Sequence, residues 1–366
     1  MNNRGLDGVV AAQTKLSHVD GERGELIIAG YRVDDLAPNA TFEEVVWLLW
    51  NGDLPDEEEL ANFRRELALR RSCDVSRIDG VPPLDAIRML LPPGDDPMDI
   101  LAKVSTIVAA VWRLSRNERP VAPNPRLGHA ANYLYMLTGE VPDGEKARAL
   151  ETYLNTVVDH GLNASTFTAR VITSTGSDLV SAVAGAVGAL KGPLHGGAPG
   201  PALDMVFEIG DASRAEGYLR RKIEAGEKLM GFGHRVYKVR DPRADVLAAA
   251  AERMFARGGD RPLYALARAV EKEALRLLEE YKPGRRLHTN VEFYTALLLH
   301  GIGLEVPLFT PTFAVSRVAG WLAHSLEQRA ANRLIRPQSE YVGPRDRTWT
   351  APAASVILSG RSAGGA

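Results

Sequence analysis

The sequence predicts a mainly α-helical protein. Apolar residues recur at helical spacing through most of the chain, capping signals precede several of those runs, and strand signals are scarce. The best strand candidate is Glu25-Leu-Ile-Ile-Ala-Gly-Tyr-Arg-Val33, which reads as a small hairpin. Thr41-Phe-Glu-Glu44 is a capping box, with Thr41 at N-cap and Glu44 at N3. Val45, Val46, Leu48 and Leu49 follow it, and Gly52 stops the helix. Pro55 opens another helix, with acids in its first turn where the helix dipole favours them. Residues 97–116 place Ile100, Val104, Ile107, Val108, Val111 and Leu114 at helical spacing. Further helices are expected near 128–138, 143–159, 164–174, 177–190, 200–209, 212–225, 244–257, 262–280, 291–301 and 311–331. The last takes Thr310 as N-cap and Pro311 at N1. Glycine-dense loops gather between residues 160 and 303, and the tail, ending Ser-Gly-Arg-Ser-Ala-Gly-Gly-Ala, is expected to be disordered.

Composition narrows the function classes. A chain of 366 residues can bury a large core. A formal charge of −2 with no long basic run argues against nucleic-acid binding by general electrostatics. The single cysteine, Cys73, excludes an intrachain disulfide framework and fits a reducing compartment. The N-terminus lacks the apolar core of a signal peptide. The longest apolar stretch, Leu179–Leu190, is interrupted by Ser and Gly and falls short of the roughly 18 residues that span a bilayer. A soluble, cytoplasmic protein is expected.

Three motifs carry the chemistry. Gly231-Phe-Gly-His-Arg-Val-Tyr-Lys-Val-Arg-Asp-Pro-Arg243 brackets His234 with glycines and follows it with basic residues. Gly192-Pro-Leu-His195-Gly-Gly sets a second histidine on a glycine loop, and Thr289-Asn-Val-Glu292-Phe-Tyr puts a carboxylate in a helix first turn. A histidine on a glycine loop is by itself more often structural, and an acid at a helix start is ordinarily there for the dipole. Gly196, Gly197 and Pro199 leave backbone uncovered, however, which permits close approach of a ligand. Phe293 and Tyr294 can desolvate Glu292 and raise its pKa toward that of a useful base. Two histidines and one such carboxylate suit removal of a proton beside a carbonyl, with the enolate captured by a second carbonyl compound. The arginines suit a small polycarboxylate. Arg317 falls among apolar residues and must pair with an acid such as Glu327 or bind an anion; His324, two turns on, reads as core, and Arg333 and Arg336 read as surface charges.

Together these strings closely resemble the citrate synthases of the shorter bacterial and archaeal type. The resemblance runs from Gly5-Leu-Asp-Gly-Val-Val through Asp20-Gly-Glu, Gly30-Tyr-Arg-Val-Asp-Asp-Leu and Asp159-His-Gly-Leu-Asn-Ala-Ser165. It closes at Arg336-Pro-Gln-Ser-Glu-Tyr-Val-Gly-Pro344. It implies a helical homodimer, each subunit with a large domain (1–196 plus 303–366) and an inserted small helical domain (197–302). It implies condensation of acetyl-CoA with oxaloacetate and water to citrate and CoA. Glu292 would take the methyl proton, His195 would stabilise the enolate, and His234 would polarise the ketone. His160, Arg243, Arg317 and, from the partner subunit, Arg336 would hold oxaloacetate. Lys228-Leu229-Met230-Gly231-Phe232 matches the CoA segment, with Lys238 near a phosphate. No cofactor is implied, and no His/Cys cluster has zinc spacing. Glu292 stands where well-studied members carry Asp, which puts rate and acyl preference in question. The alternatives are a 2-methylcitrate synthase using propionyl-CoA and a non-catalytic CoA- or oxaloacetate-sensing paralogue.

Overall fold

The structure is a computed structural model and describes residues 4–349, apart from 7, 77, 79, 197, 198, 235, 258 and 259. Gly197, Arg235 and the expected disordered tail from residue 350 therefore lie outside the described residues. Residues up to Ile335 form one compact unit, and Arg336 opens a second.

After a 3-10 turn at Arg4–Leu6 comes a three-stranded antiparallel meander, β1 (Ser17–Asp20), β2 (Glu25–Ile28) and β3 (Tyr31–Arg32). Ser17 pairs with Ile28 and Ile27 with Arg32. Leu26 and Ile28 point into the core, anchoring the meander by one face. Helices α1 (Val33–Leu36), α2 (Phe42–Asn51), α3 (Glu57–Arg70), α4 (Pro83–Leu90), α5 (Pro97–Ser115) and α6 (His129–Thr138) follow. Then come α7 (Gly144–Val157), α8 (Ala164–Ser174), α9 (Leu179–Leu190) and the single turn α10 (Pro193–Gly196). The rest are α11 (Pro199–Ile209), α12 (Ala215–Glu224), α13 (Pro242–Arg257), α14 (Arg261–Tyr281), α15 (Val291–Gly301) and α16 (Phe309–Ala330). The mainly α expectation holds.

Local chemistry explains most boundaries. The Thr41–Glu44 capping box forms as read, and Gly52 ends α2 in the left-handed region at φ 97°. The box at α3 is Asp56 with Glu59, so Pro55 stands one residue outside the cap. The expected hairpin at 25–33 is β2–β3, turning through Ala29 and Gly30; β1, α1, α4 and the single turn α10 are additions, the last where a glycine loop was expected. Helix α16 corrects an expectation. It starts at Phe309 after a 3-10 turn, with no side-chain cap, and the Thr310 hydroxyl donates instead to the Gly196 carbonyl at 2.5 Å.

Helix α16 is the axis of the fold. It packs against α2, α5, α7, α8 and α9, and almost every residue from Thr312 to Ser325 is buried. Gly320 lies so close to the Val158 carbonyl that a Cβ there would collide with it. That contact seats Arg317 one helical turn earlier, beside the end of α7 and the turn that follows it.

Candidate active site

The first histidine sits on α10. Gly196 rests on the Leu190 carbonyl with no room for a Cβ, so the loop folds tightly back onto α9. His195 Nε2 lies 2.8 Å from Ser165 Oγ, which also accepts from Trp321 Nε1 at 3.0 Å. Ser165 has one proton and two acceptors at 2.8 Å, His195 Nε2 and Asn163 Oδ1. When that proton goes to the imidazole, Nδ1 of a neutral ring carries the remaining hydrogen and can donate; when it goes to Asn163, Nε2 carries the hydrogen instead. Nδ1 has no hydrogen-bond partner among the described residues. Burial, reinforced by the Arg317 charge, holds the His195 pKa down at about 4.

The His234 loop needs its glycines. Gly231 and Gly233 have φ of 87° and 81°, and Gly231 is pressed onto Phe293. The loop is sewn to the start of α15: Gly233 N–H donates to the His288 carbonyl at 2.7 Å, and Asn290 N–H donates to the Gly231 carbonyl at 3.0 Å. His234 Nδ1 accepts from the backbone N–H groups of Val236 and Tyr237, both at 3.0 Å. A neutral ring has one lone pair, so Nε2 carries the proton. The 3.4 Å approach of Arg243 Nη2 to Nε2 is then an electrostatic contact between two donors. Burial, followed by the Arg243 charge, lowers the His234 pKa to about 4. His234 is a neutral hydrogen-bond donor at pH 7.

Glu292 opens α15, where Asn290 Oδ1 caps its N–H at 3.0 Å. Burial raises its pKa to about 7. Arg243 and Arg317 oppose the rise, and Asp241 adds to it. That value suits a base working near neutrality.

Cations surround this group. Arg243 is held by Asp241 through Nε at 3.0 Å and Nη2 at 2.8 Å, which leaves Nη1 without a hydrogen bond among the described residues. Burial would lower the Arg243 pKa, but the Asp241 carboxylate outweighs it and raises it. Arg317 donates from Nε to the Val157 carbonyl at 2.6 Å and lies over the Phe313 ring at 4.4 Å. Neither of its Nη atoms is in a hydrogen bond among the described residues, so the end of the fork is open to a further acceptor. Burial pulls its pKa down to about 10, and it stays protonated at pH 7. His160 Nε2 meets Tyr237 Oη at 3.1 Å, and its ring stands edge-on to His234 with centroids 5.9 Å apart. Burial and the two arginines hold His160 well below the usual histidine range.

The acid beside Arg317 is Asp159. It accepts from Ser17 Oγ at 2.5 Å and from His324 Nε2 at 3.1 Å. Burial pushes its pKa up, but His324 and Arg317 win and hold it at about 2. Glu327 pairs with Arg170, whose Nε donates to His324 Nδ1 at 2.8 Å. The His324 expectation is thus refined: the ring is in the core and fully hydrogen-bonded.

His160, His195, His234, Arg243, Glu292 and Arg317 share one region, tied together by these contacts. Arg336 is exposed and belongs to the second unit. Lys228, Leu229 and Met230 line a cavity of about 260 Å³ with Tyr218 and Lys222. Gly231 is buried, the Phe232 ring lies tilted against Phe293, and Lys238 is exposed. Sequence reasoning gave no role to Asp241, Ser165, Tyr237 or Trp321. The string Arg240-Asp-Pro-Arg243 held the signal for Asp241, an acid amid basic residues. Among the described residues no group of three or more His, Cys, Asp or Glu is placed to hold a metal ion.

A family profile described as "Citrate synthase, C-terminal domain" matches residues 5–338. This chain belongs to the citrate synthase family. The citrate synthase of Haloferax volcanii is 40% identical, over 95% of this chain and 97% of its own. A 2-methylcitrate synthase of Mycobacterium tuberculosis is also 40% identical, over 94% of this chain and 91% of its own. The citrate synthase of Thermoplasma acidophilum, solved as a ternary complex with carboxymethyl coenzyme A and oxaloacetate, superposes with a TM-score of 0.83. It is 30% identical, and the match covers 95% of this chain and 98% of that one.

Proposed function

We propose that this protein condenses acetyl-CoA with oxaloacetate and water to give citrate and CoA. The observation that carries the reading is the juxtaposition of a carboxylate with its pKa near 7 and two neutral histidines, beside two guanidinium groups. Glu292 removes a proton from the thioester methyl. His195 stabilises the enol oxygen through Nδ1, since a base alone cannot ionise so weak an acid. The enol carbon then bonds to the oxaloacetate ketone carbon, and the ketone oxygen takes its negative charge toward His234 Nε2–H. Water hydrolyses the resulting citryl-CoA thioester, releasing citrate and the CoA thiol.

Arg243, Arg317 and His160 hold the oxaloacetate carboxylates. The open Arg317 fork suits one of them bidentately. Arg336 completes the set from the partner subunit of a cytoplasmic homodimer. Residues 228–232 and Lys238 receive CoA, and the segment 197–302 acts as the smaller, moving domain, whose closure excludes water. No cofactor beyond the two substrates is required.

The second reading is 2-methylcitrate synthesis from propionyl-CoA, favoured by the 40% identical M. tuberculosis relative. One extra methylene decides between them, a difference of about 1–3 kcal/mol. Thiol release from acetyl-CoA and from propionyl-CoA, each with and without oxaloacetate, separates the two. Preference for acetyl-CoA supports the first and preference for propionyl-CoA the second. Absence of oxaloacetate-dependent release in the folded protein overturns both.

A further inference from the structure

We infer that the β1–β2 hairpin sets the spacing between His160 and His234, and that Ser17 and Gly21 are positioning residues for oxaloacetate. The inference rests on the proposed function and assigns that site a further part.

At its base the hairpin holds both neighbours of His160. Ser17 Oγ donates to Asp159 Oδ2 at 2.5 Å and accepts from Gly161 N–H at 2.9 Å. Gly161 has a φ of 59°, and Val19 packs beside it. The His160 turn is therefore pinned on each side by one hydroxyl.

At its tip the hairpin holds both neighbours of Tyr237. The Gly21 carbonyl accepts from Lys238 N–H at 2.8 Å, and Gly21 lies against the Val236 carbonyl with no room for a Cβ. Gly24 is pressed in the same way against Val239 and the Arg240 carbonyl. Val236 and Tyr237 supply the two N–H groups that donate to His234 Nδ1, and the Tyr237 hydroxyl reaches His160 Nε2.

The strap is stiff. Asp20 Oδ1 accepts from Glu22 N–H at 3.0 Å and Arg23 N–H at 2.9 Å, closing an Asx-type turn. On the other strand Leu26 and Ile28 are buried in the core. Residues distant in sequence from both histidines thus fix the main chain that carries each of them. A keto acid bound between the rings needs that gap held steady, because a misplacement of about 1 Å can cost on the order of a hundredfold.

The test is steady-state kinetics, with calorimetric titration of oxaloacetate, on the parent and on Ser17→Ala, Ser17→Thr and Gly21→Ala. Gly144→Ala, which adds a methyl in open space, is the control. Ser17→Ala and Gly21→Ala are expected to raise KM and Kd for oxaloacetate about 10- to 100-fold, with KM for acetyl-CoA at saturating oxaloacetate held within about twofold. Ser17→Thr keeps the hydroxyl on a residue that suits a strand and should restore parent values. Parent-like oxaloacetate binding in Ser17→Ala overturns the inference. So does an equal loss for both substrates, or failure of threonine to rescue. If Gly21→Ala does not fold, the Ser17 pair decides alone. A parent that binds oxaloacetate but releases no thiol defeats the proposed reaction, while calorimetry still reads the strap.

Discussion

Asp241 clasps Arg243 through two parallel contacts and turns the same carboxylate toward Val291, whose N–H donates to Oδ2 at 3.2 Å. One buried acid therefore orients both the Arg243 guanidinium, a proposed oxaloacetate ligand, and the first turn of the helix that carries Glu292. Asp241→Asn keeps the shape but turns a donor toward Arg243 and leaves that cation unpaired. It is expected to destabilise the protein by about 3–5 kcal/mol, read by urea unfolding, and to raise KM for oxaloacetate. Parent values for both would remove Asp241 from the site.

Glu292→Gln should abolish turnover and change the pH dependence of stability. With its pKa raised from 4.5 to about 7, the folded state binds the proton more tightly than the unfolded chain. Stability from this group is thus present at low pH and is lost as pH rises from about 4.5 through about 7. His195 and His234, held down at about 4, act in the opposite sense in both proteins. The difference in stability between parent and Glu292→Gln therefore isolates the carboxylate, and Gln should gain relative to the parent across that window. Parent kcat/KM should fall below pH 7 as the base takes up its proton. A flat difference would show that Glu292 is not desolvated.

Ser165→Ala removes the hydroxyl that meets His195 Nε2 and strands the Trp321 N–H. We expect kcat to drop about 10- to 100-fold as the ring loses its orientation. Oxaloacetate affinity should stay at the parent value, because the hydroxyl touches none of its proposed ligands. Loss of that affinity instead would place the defect in folding.

Arg317→Lys replaces a fork with a point charge. The Nε contact to Val157 disappears, and an ammonium cannot take a carboxylate bidentately. Oxaloacetate affinity should weaken about 10- to 100-fold by calorimetry, in keeping with the roughly 1.5–3 kcal/mol of a charged hydrogen bond. Undiminished affinity would assign Arg317 to the core alone.

Much of this was legible in the residues. Thr41 and Glu44 announced α2 because capping is local, and His195, His234, Arg243 and Glu292 stood out against glycine and apolar neighbours. The start of α16 was not legible, because the Thr310 hydroxyl serves Gly196, more than a hundred residues away in sequence, and not the helix end. Strand β1, Ser-His-Val-Asp, has a single apolar residue and owes its form to pairing with β2. Asp241 and Ser165 gain meaning only from what folding sets opposite them. Arg317 among apolar residues calls for an acid or an anion, but spacing along the helix points to Glu327, which serves Arg170, while the acid beside Arg317 is Asp159 from another element.

The contact of Gly320 with the Val158 carbonyl has a consequence for how such a sequence can drift. The seat of Arg317 beside the His160 turn is measured by main chain touching main chain. Apolar residues around it can be exchanged for others of similar volume without shifting that seat. A single methyl at residue 320 would move it at once, so the locus is at once tolerant of its surroundings and intolerant at its centre.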